Sequence, residues 1–540
     1  MAFRAMPPPP AVEFRAAPPP PAAVIAPDTS TGDLAALEGR PIRSVHIAAR
    51  NIFDPLPKGR LRGACQLANL LHVRTRESTV RELLLLEAGD RWTAEHGAEA
   101  VRRLRELDFL VPERFDARLA NDSVDVTVHT TDTWTTSPQF DVQSSGGTQF
   151  STFAFSEGNV LGLGKSLAVS YHQEPAGVTR SIEWNDPALF GSRAQFDFMT
   201  SKGSSGSANH LDGGVRFYAP STPNAAFADW RSANGIGRLY ERGVEAVDFD
   251  LHQTETDVMW GRGHRSDGTV TRWIASFHAR DRHLGPSRSV APGPAEFAGG
   301  AEDLKLRRVA LEGQWWRPHF IERVGVNRMT RVEDFDVGLR LALKLGVSPH
   351  AFGSTANEGY LRAAMDAGIP DEHCFGLLHA SFETRYRRSV REEIERVEAR
   401  WVAPLTARHT LVLAGLGAAG FDVGREFQLT AGGLSGLRAF PIHALSGREL
   451  WRLNAEDRLM GPEFWELMSV GAAAFYDAAH MAGAGAEGTG WYHDAGFGLR
   501  LAFSRSALNQ VLRFDVAFPI DPMRNGDHEP VLSFGSSQAF

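Results

Sequence analysis

At 540 residues the chain is too long for one small domain, and its net charge of −8, from 57 Lys+Arg against 65 Asp+Glu, leaves no basic footprint for nucleic acid. No stretch reaches the roughly 18 apolar residues of a membrane-spanning helix, and no apolar h-region of about 7–15 residues opens the sequence. The cysteines Cys65 and Cys374 lie far apart and read as unpaired thiols, which excludes a disulfide-stapled scaffold.

Residues 1–40 hold two proline runs, Pro7–Pro10 and Pro18–Pro21, separated by small residues. Such a segment cannot bury a core and predicts an extended tether. Order begins at Ile42–Ala48, a short alternating strand. After an insertion, two helical patterns follow, Thr75–Leu86 closed by Gly89-Asp90, and Thr93–Leu107, in which Ala94, Ala98, Val101 and Leu104 recur every three to four residues. Phe109–Leu119 and Val124–Thr130 then read as strands. The expected order over 41–131 is β-α-α-β-β, a small α+β domain.

From Asp132-Thr-Trp134 onward glycine and aromatic residues are spread throughout and many segments alternate. Leu339, Leu341, Leu343 and Leu345 point one way against Arg340, Ala342 and Lys344. Phe497, Leu499, Leu501 and Phe503 oppose Arg500 and Ser504, and Leu512, Phe514, Val516 and Phe518 oppose Arg513 and Asp515. Leu167, Val169 and Tyr171 do the same against Ser166, Ser170 and His172. Segments of about ten residues with one apolar face are what a transmembrane barrel strand requires, so 132–540 is expected to form an all-β barrel. Tyr386–Trp401, with its run Val390-Arg-Glu-Glu-Ile-Glu-Arg-Val397, scans locally as a charged helix instead.

The sequence around Ala431-Gly-Gly-Leu-Ser-Gly-Leu-Arg-Ala-Phe-Pro441 has the glycines of a loop that folds back, with Arg438 held between the apolar Leu437 and Phe440. An arginine there must meet a carboxylate or stay wet, because an unpaired buried guanidinium is very costly. Glu456, Asp477 and Asp515 stand at inward-looking positions of the alternating strands that follow. The expectation is a loop, near 422–447, plugged into a barrel lumen, with Glu456, Asp477 and Asp515 as candidate partners of Arg438.

Several strings, in order along the chain, resemble the POTRA-barrel outer-membrane assembly and two-partner secretion superfamily, the bacterial surface antigen family. Asn69–Arg76 and Leu83–Asp90 are similar to single-POTRA members. Asn159-Val-Leu-Gly-Leu-Gly-Lys-Ser166, carrying Asn159, Gly162 and Gly164, resembles the early barrel hairpin. Trp184-Asn-Asp-Pro-Ala-Leu-Phe-Gly-Ser-Arg193, with Asp186, Pro187 and Gly191, resembles the next one. Arg331-Val-Glu-Asp-Phe335 resembles a mid-barrel strand entry. Gly436-Leu437-Arg438-Ala439-Phe440 is similar to the family's sixth-loop motif, with Ala439 where the motif has glycine. Phe475-Tyr-Asp-Ala-Ala479 is similar to its Phe-x-Asp-x-Gly, again with alanine for the last glycine, and this resemblance implies Asp477 as the first partner of Arg438, with Glu456 and Asp515 as secondary ones. Leu512–Ala517 resembles the penultimate strand, and Phe534, Gly535 and the terminal Phe540 the last one.

The resemblance implies a bacterial outer-membrane barrel of about sixteen antiparallel strands, preceded by one periplasmic POTRA domain. It implies unfolded outer-membrane or secreted polypeptides as partners, with outer-membrane lipid around the barrel and accessory periplasmic proteins as further candidates. The implied role is insertion or translocation of these clients, with no cofactor, no metal and no catalytic residue; the alternative is a passive outer-membrane pore. Enzyme motifs are decoys. Asn159 replaces the first glycine of a phosphate loop before Gly164-Lys165-Ser166. Leu437 replaces the second glycine of a nucleophile elbow in Gly433–Leu437. His278 and His283 read as a strand end rather than a metal site.

Overall fold

The computed structural model describes residues 34–540 except 146–147, 175–176, 242, 292–296, 330, 372, 407, 434–435, 466, 484–489, 508–510, 523–528 and 537–540. The proline runs of the expected tether and the terminal Phe540 therefore lie outside the described residues. The tether ends earlier than expected: Leu34–Leu37 is a helical turn, and Leu37 is buried in the first core.

The N-terminal unit is a three-stranded sheet. Ile42–Arg50 runs parallel to Ser123–Asp132, which pairs antiparallel with Leu110–Ala120, so the last strand in sequence lies in the middle. Asn121 and Asp122, both at positive φ, form the tight turn between the last two. Three helices pack here rather than two: Arg62–Leu71, Glu77–Leu83 and Ala94–Arg105. The additional one, Arg62–Leu71, falls in the stretch expected to be an insertion. Its N-terminus has no side-chain cap, which removes the usual start signal. In Ala94–Arg105 the buried face is Gly97, Ala100, Val101 and Leu104, whereas Ala94 is exposed and Ala98 half-buried. Gly97 sets that rotation, since a Cβ there would lie 2.7 Å from the Trp92 ring. Thr93 caps the helix, accepting from the His96 backbone N–H at 3.1 Å. Val80, Leu83, Leu104, Phe115, Val124, Val126 and Val128 complete the core.

The rest of the chain closes into an antiparallel β-barrel of 20 strands, beginning with Thr136–Ser145 and ending with Val531–Gly535. The expectation of about sixteen strands was low because the connections are tighter than assumed. Ser204-Ser205 suffices between Gln195–Gly203 and Gly206–Val215. Asp267-Gly268, both at positive φ, joins Val244–Ser266 to Thr269–Leu284 as a two-residue hairpin. Tyr386–Trp401 is not a helix. It belongs to the hairpin of Phe375–Arg387 with Ser389–Pro404, which turns at Arg388 with φ 62. Arg391 and Glu395 are exposed, while Arg385 pairs across strands, with Glu358 at 2.9 Å and also with Glu392.

Leu341, Leu343, Leu345 and Val347 are exposed on the outer face, with Leu339 half-buried at the strand start. Phe497, Leu499 and Phe503 are exposed between the buried Arg500 and Ala502, and Phe514 and Phe518 beside the buried Arg513 and Asp515. Apolar residues outside and charged ones inside invert the pattern of a soluble protein and form a lipid-facing band. Among the described residues no helix is long and apolar enough to cross a membrane.

Candidate functional site in the barrel lumen

Phe421 ends one long strand and Glu449 begins the next. The loop between them does not stay at the rim. It enters the lumen as a ribbon in which Leu429–Ala431 pairs with Leu445–Gly447. The end of strand Asn224–Glu241 holds the stem. Gln428 accepts from the Tyr240 backbone N–H at 2.8 Å and donates to its carbonyl at 2.6 Å, while Ser446 donates to the same carbonyl at 2.8 Å. His443 stacks on the Tyr240 ring at 4.1 Å between centroids.

At the tip, Leu437, Ala439 and Phe440 are buried and Arg438 is 1% exposed. Gly436 permits the approach: its φ is +86°, and a Cβ would meet the Arg452 side chain at 2.8 Å. The Arg438 guanidinium grips Asp477 with both arms, Nε to Oδ2 at 2.7 Å and Nη2 to Oδ1 at 3.0 Å. Nη1 donates to Glu456 at 2.8 Å and reaches Asp515 at 3.5 Å. Phe475 supplies an aromatic face 3.4 Å from the guanidinium carbon. Burial alone would lower the Arg438 pKa; Asp477, Glu456 and Asp515 outweigh it and raise it above the ordinary value.

The carboxylates are shared in turn. Arg458 donates to Glu456 at 2.8 Å, Arg500 to Asp515 at 2.5 Å and to Glu456 at 3.3 Å. Asn454 bridges the Gly436 carbonyl and Asp477, both at 2.8 Å. The Ala439 backbone N–H donates to Asp494 at 3.0 Å, so alanine fits where the resembling motif carries glycine. Ala479 is likewise fully buried without displacement. Asn454, Asp494 and Arg458 escaped the sequence reading, which placed Arg500 on the polar face of its strand without assigning it a partner. Asn454 and Arg458 share the inward parity of Glu456, two residues to either side, and Asp494 shares that of Arg500, which was the available signal.

The hairpin motifs do a different job from the loop. Asn159 accepts from the Gly164 N–H at 2.7 Å and donates to Thr75 at 2.8 Å. The Gly162 carbonyl accepts from Arg76 N–H at 3.0 Å and from the Thr79 hydroxyl at 3.1 Å. A Cβ on Gly162 would lie 2.4 Å from the Arg74 carbonyl, and one on Gly164 2.9 Å from the Phe109 ring. Asp186 pairs with Lys165 at 2.8 Å and, ahead of Pro187, accepts from the Ala188 N–H at 3.2 Å. A Cβ on Gly191 would sit 3.3 Å from Glu82, and Arg193 pairs with Glu87 at 3.1 Å. These turns are the seat of the N-terminal unit on the barrel. Arg105 to Asp334 at 3.0 Å, Arg265 to Glu99 at 2.5 Å and Arg328 to Asp108 at 2.7 Å extend that seat. Arg331, expected at a strand entry, lies in the connection before Leu339–Ser348 and donates to the Ser506 carbonyl at 2.9 Å.

Phe534 sits at the seam where the barrel closes, opposite Val142, and packs on Phe514 at 4.6 Å between centroids. Gly535 faces Arg513, with room for no side chain beyond 3.0 Å. His278 and His283 pair with separate carboxylates, Asp257 and Asp303. Sequence reasoning missed a set that does converge: His210, Asp212 and Asp229, within 4.8 Å of one another. Arg216 and Arg231 already neutralise its carboxylates at 3.2 and 2.8 Å.

No protein-family model and no curated protein matches the chain. Among solved structures it is similar to CdiB from Escherichia coli, at 13% identity over 94% of this chain and 79% of that one, with a TM-score of 0.46. It is similar to CdiB from Acinetobacter baumannii at 11% identity, 92% and 73% coverage and TM-score 0.45. BamA from Haemophilus ducreyi lacking POTRA domains 1–3 gives 12% identity, 92% and 84% coverage and TM-score 0.38.

Proposed function

We propose that this chain is an outer-membrane POTRA-barrel protein that captures unfolded polypeptides with its N-terminal unit and inserts them into the membrane through the barrel seam. The observation that carries the reading is the closure itself. Among the described residues, Val531–Gly535 meets Thr136–Ser145 through three residue pairs, Leu532↔Ser144, Ser533↔Gln143 and Phe534↔Val142, and the Ser536 N–H donates to Asp141 at 2.8 Å. By contrast, Asn224–Glu241 and Val244–Ser266 pair along their whole shared length. Backbone hydrogen bonds hold a barrel shut, and a short ladder opens at the smallest cost. The lumen, meanwhile, is occupied by a loop tied down by buried ion pairs, which favours a lateral exit over an axial one.

Capture fits the sheet order of the N-terminal unit, in which Ile42–Arg50 and Leu110–Ala120 are both edges. An edge strand offers its backbone to an extended chain. Both edges carry a register shift, but Leu110–Ala120 also carries Pro112, which blunts it, so Ile42–Arg50 is the better template. A passive pore would need the plug to leave, and nothing in the fit of Ala439 or Ala479 weakens that plug.

The test is photo-crosslinking during insertion of a barrel client, with benzoylphenylalanine replacing Val142 at the seam or Leu343 on the opposite part of the wall. Client adducts at Val142 and few at Leu343 are expected. Equal yields at both positions would overturn the lateral route.

A further inference from the structure

Helix Arg62–Leu71 is turned inside out. Its inward side offers Cys65, while Asn69 bonds to the Phe53 backbone N–H and carbonyl at 3.1 and 2.9 Å. Its leucines face away from the core: Leu67 is 55%, Leu70 81% and Leu71 65% exposed, and Val73 follows at 52%. Leucines at i, i+3 and i+4 share one helical face, so this is a continuous apolar stripe rather than scattered exposure. Around it the charge is one-sided. From 55 to 76 the chain carries Lys58, Arg60, Arg62, Arg74 and Arg76, all exposed, and no Asp or Glu, within a protein of net charge −8.

The position of the helix is equally specific. Arg50, at the end of the strand that leads to it, pairs with Thr131, just before the first barrel strand. The residues after the helix dock on the barrel turn Val160–Gly162 through the Arg76 N–H to Gly162 carbonyl bond. The tip of that turn, Leu161, is 61% exposed, and the tip of the neighbouring turn, Phe190, is 95% exposed. Both turns join strands whose outer faces carry the lipid-facing band, which places the leucine stripe near the barrel rim.

We infer that helix Arg62–Leu71 lies in the headgroup layer of the leaflet on the side of the N-terminal unit, leucines toward the acyl chains and arginines against anionic lipid phosphates. A helix with an apolar stripe flanked by Lys and Arg binds such an interface by burying the first and pairing the second. The anchor would hold the capture domain at a fixed height and orientation beside the barrel. The inference rests on the membrane-embedded barrel, and its test keeps the two apart.

Benzoylphenylalanine is placed singly at Leu70, at Leu343 on the barrel band, and at Leu119, an exposed apolar residue at the barrel-distal end of the same domain. The full chain is reconstituted in vesicles of phosphatidylethanolamine with about one-third radiolabelled phosphatidylglycerol and irradiated. Lipid adducts at Leu343 report that the barrel is embedded. The inference expects adducts at Leu70 within a few-fold of Leu343 and at least tenfold above Leu119. Arg60→Glu with Arg62→Glu is expected to cut the Leu70 yield several-fold and leave Leu343 unchanged. Lipid adducts at Leu343 with only background at Leu70, or a protein adduct at Leu70 from a second copy or the N-terminal segment, would overturn it.

Discussion

Arg438 is buried, and every one of its three donor groups is directed at a carboxylate or shared between two. A guanidinium in that position cannot be swapped for an ammonium, because the two-armed grip on Asp477 needs the planar fork. Arg438→Ala leaves Asp477, Glu456 and Asp515 short of a counter-charge, and the expected cost is about 3–5 kcal/mol of barrel stability. Arg438→Lys should recover only part of it. Asp477→Ala should fall in the same range, and the double mutant should be little worse than Arg438→Ala alone, because the pair shares one interaction. Denaturant titration of the folded barrel in detergent checks this cycle; additive losses would contradict it. At this scale the sequence was informative where a residue carried a charge that had to be answered. Arg438 between apolar neighbours demanded carboxylates, and the alternating strands supplied them. It was silent where a residue serves the backbone: Asn454 and Asp494 hold the Gly436 carbonyl and the Ala439 N–H, and only the folded loop shows that these groups need partners.

At the level of the element, the strands state their purpose through parity. In Leu339–Ser348 the odd positions face lipid and the even ones the lumen. Leu343→Arg sets a charge on the outer face in the middle of that strand, with an expected cost of about 2–4 kcal/mol near the bilayer midplane. Arg at Val347, nearer the strand end, should cost less. Folding equilibria in vesicles measure both, and equal small costs would mean that this face does not meet lipid. Parity failed for Tyr386–Trp401, where charges dominate both faces and the local pattern has a helical period. Cross-strand partners such as Glu358 for Arg385 decide the outcome there, and they are distant in sequence. Helix Arg62–Leu71 was missed for a related reason. It lacks a cap, and its leucines point away from the core that a sequence reading searches for. The glycines of the two hairpin motifs were visible, yet their function was not. Gly162 and Gly164 are small because Arg74 and Phe109 of another unit press on them.

For the whole molecule, the division into a small α+β unit and a barrel follows from the change in texture after Asp132. The number of strands does not follow from it, because length divides among strands only once each turn is known. Fifteen strands precede the plug loop and five follow it, ending at the seam. This arrangement sets a tethered, ion-paired lumen against a closure that shows three residue pairs among the described residues, and the account predicts that clients leave through the closure. A disulfide across the seam tests it most directly. Val142→Cys with Phe534→Cys places two thiols on directly opposed residues of the closing ladder. Oxidation should abolish insertion of a barrel client and reduction should restore it, while a disulfide joining the equally opposed Leu345 and Leu361 in the fixed wall should change nothing. Full insertion by the oxidised seam variant would contradict the account.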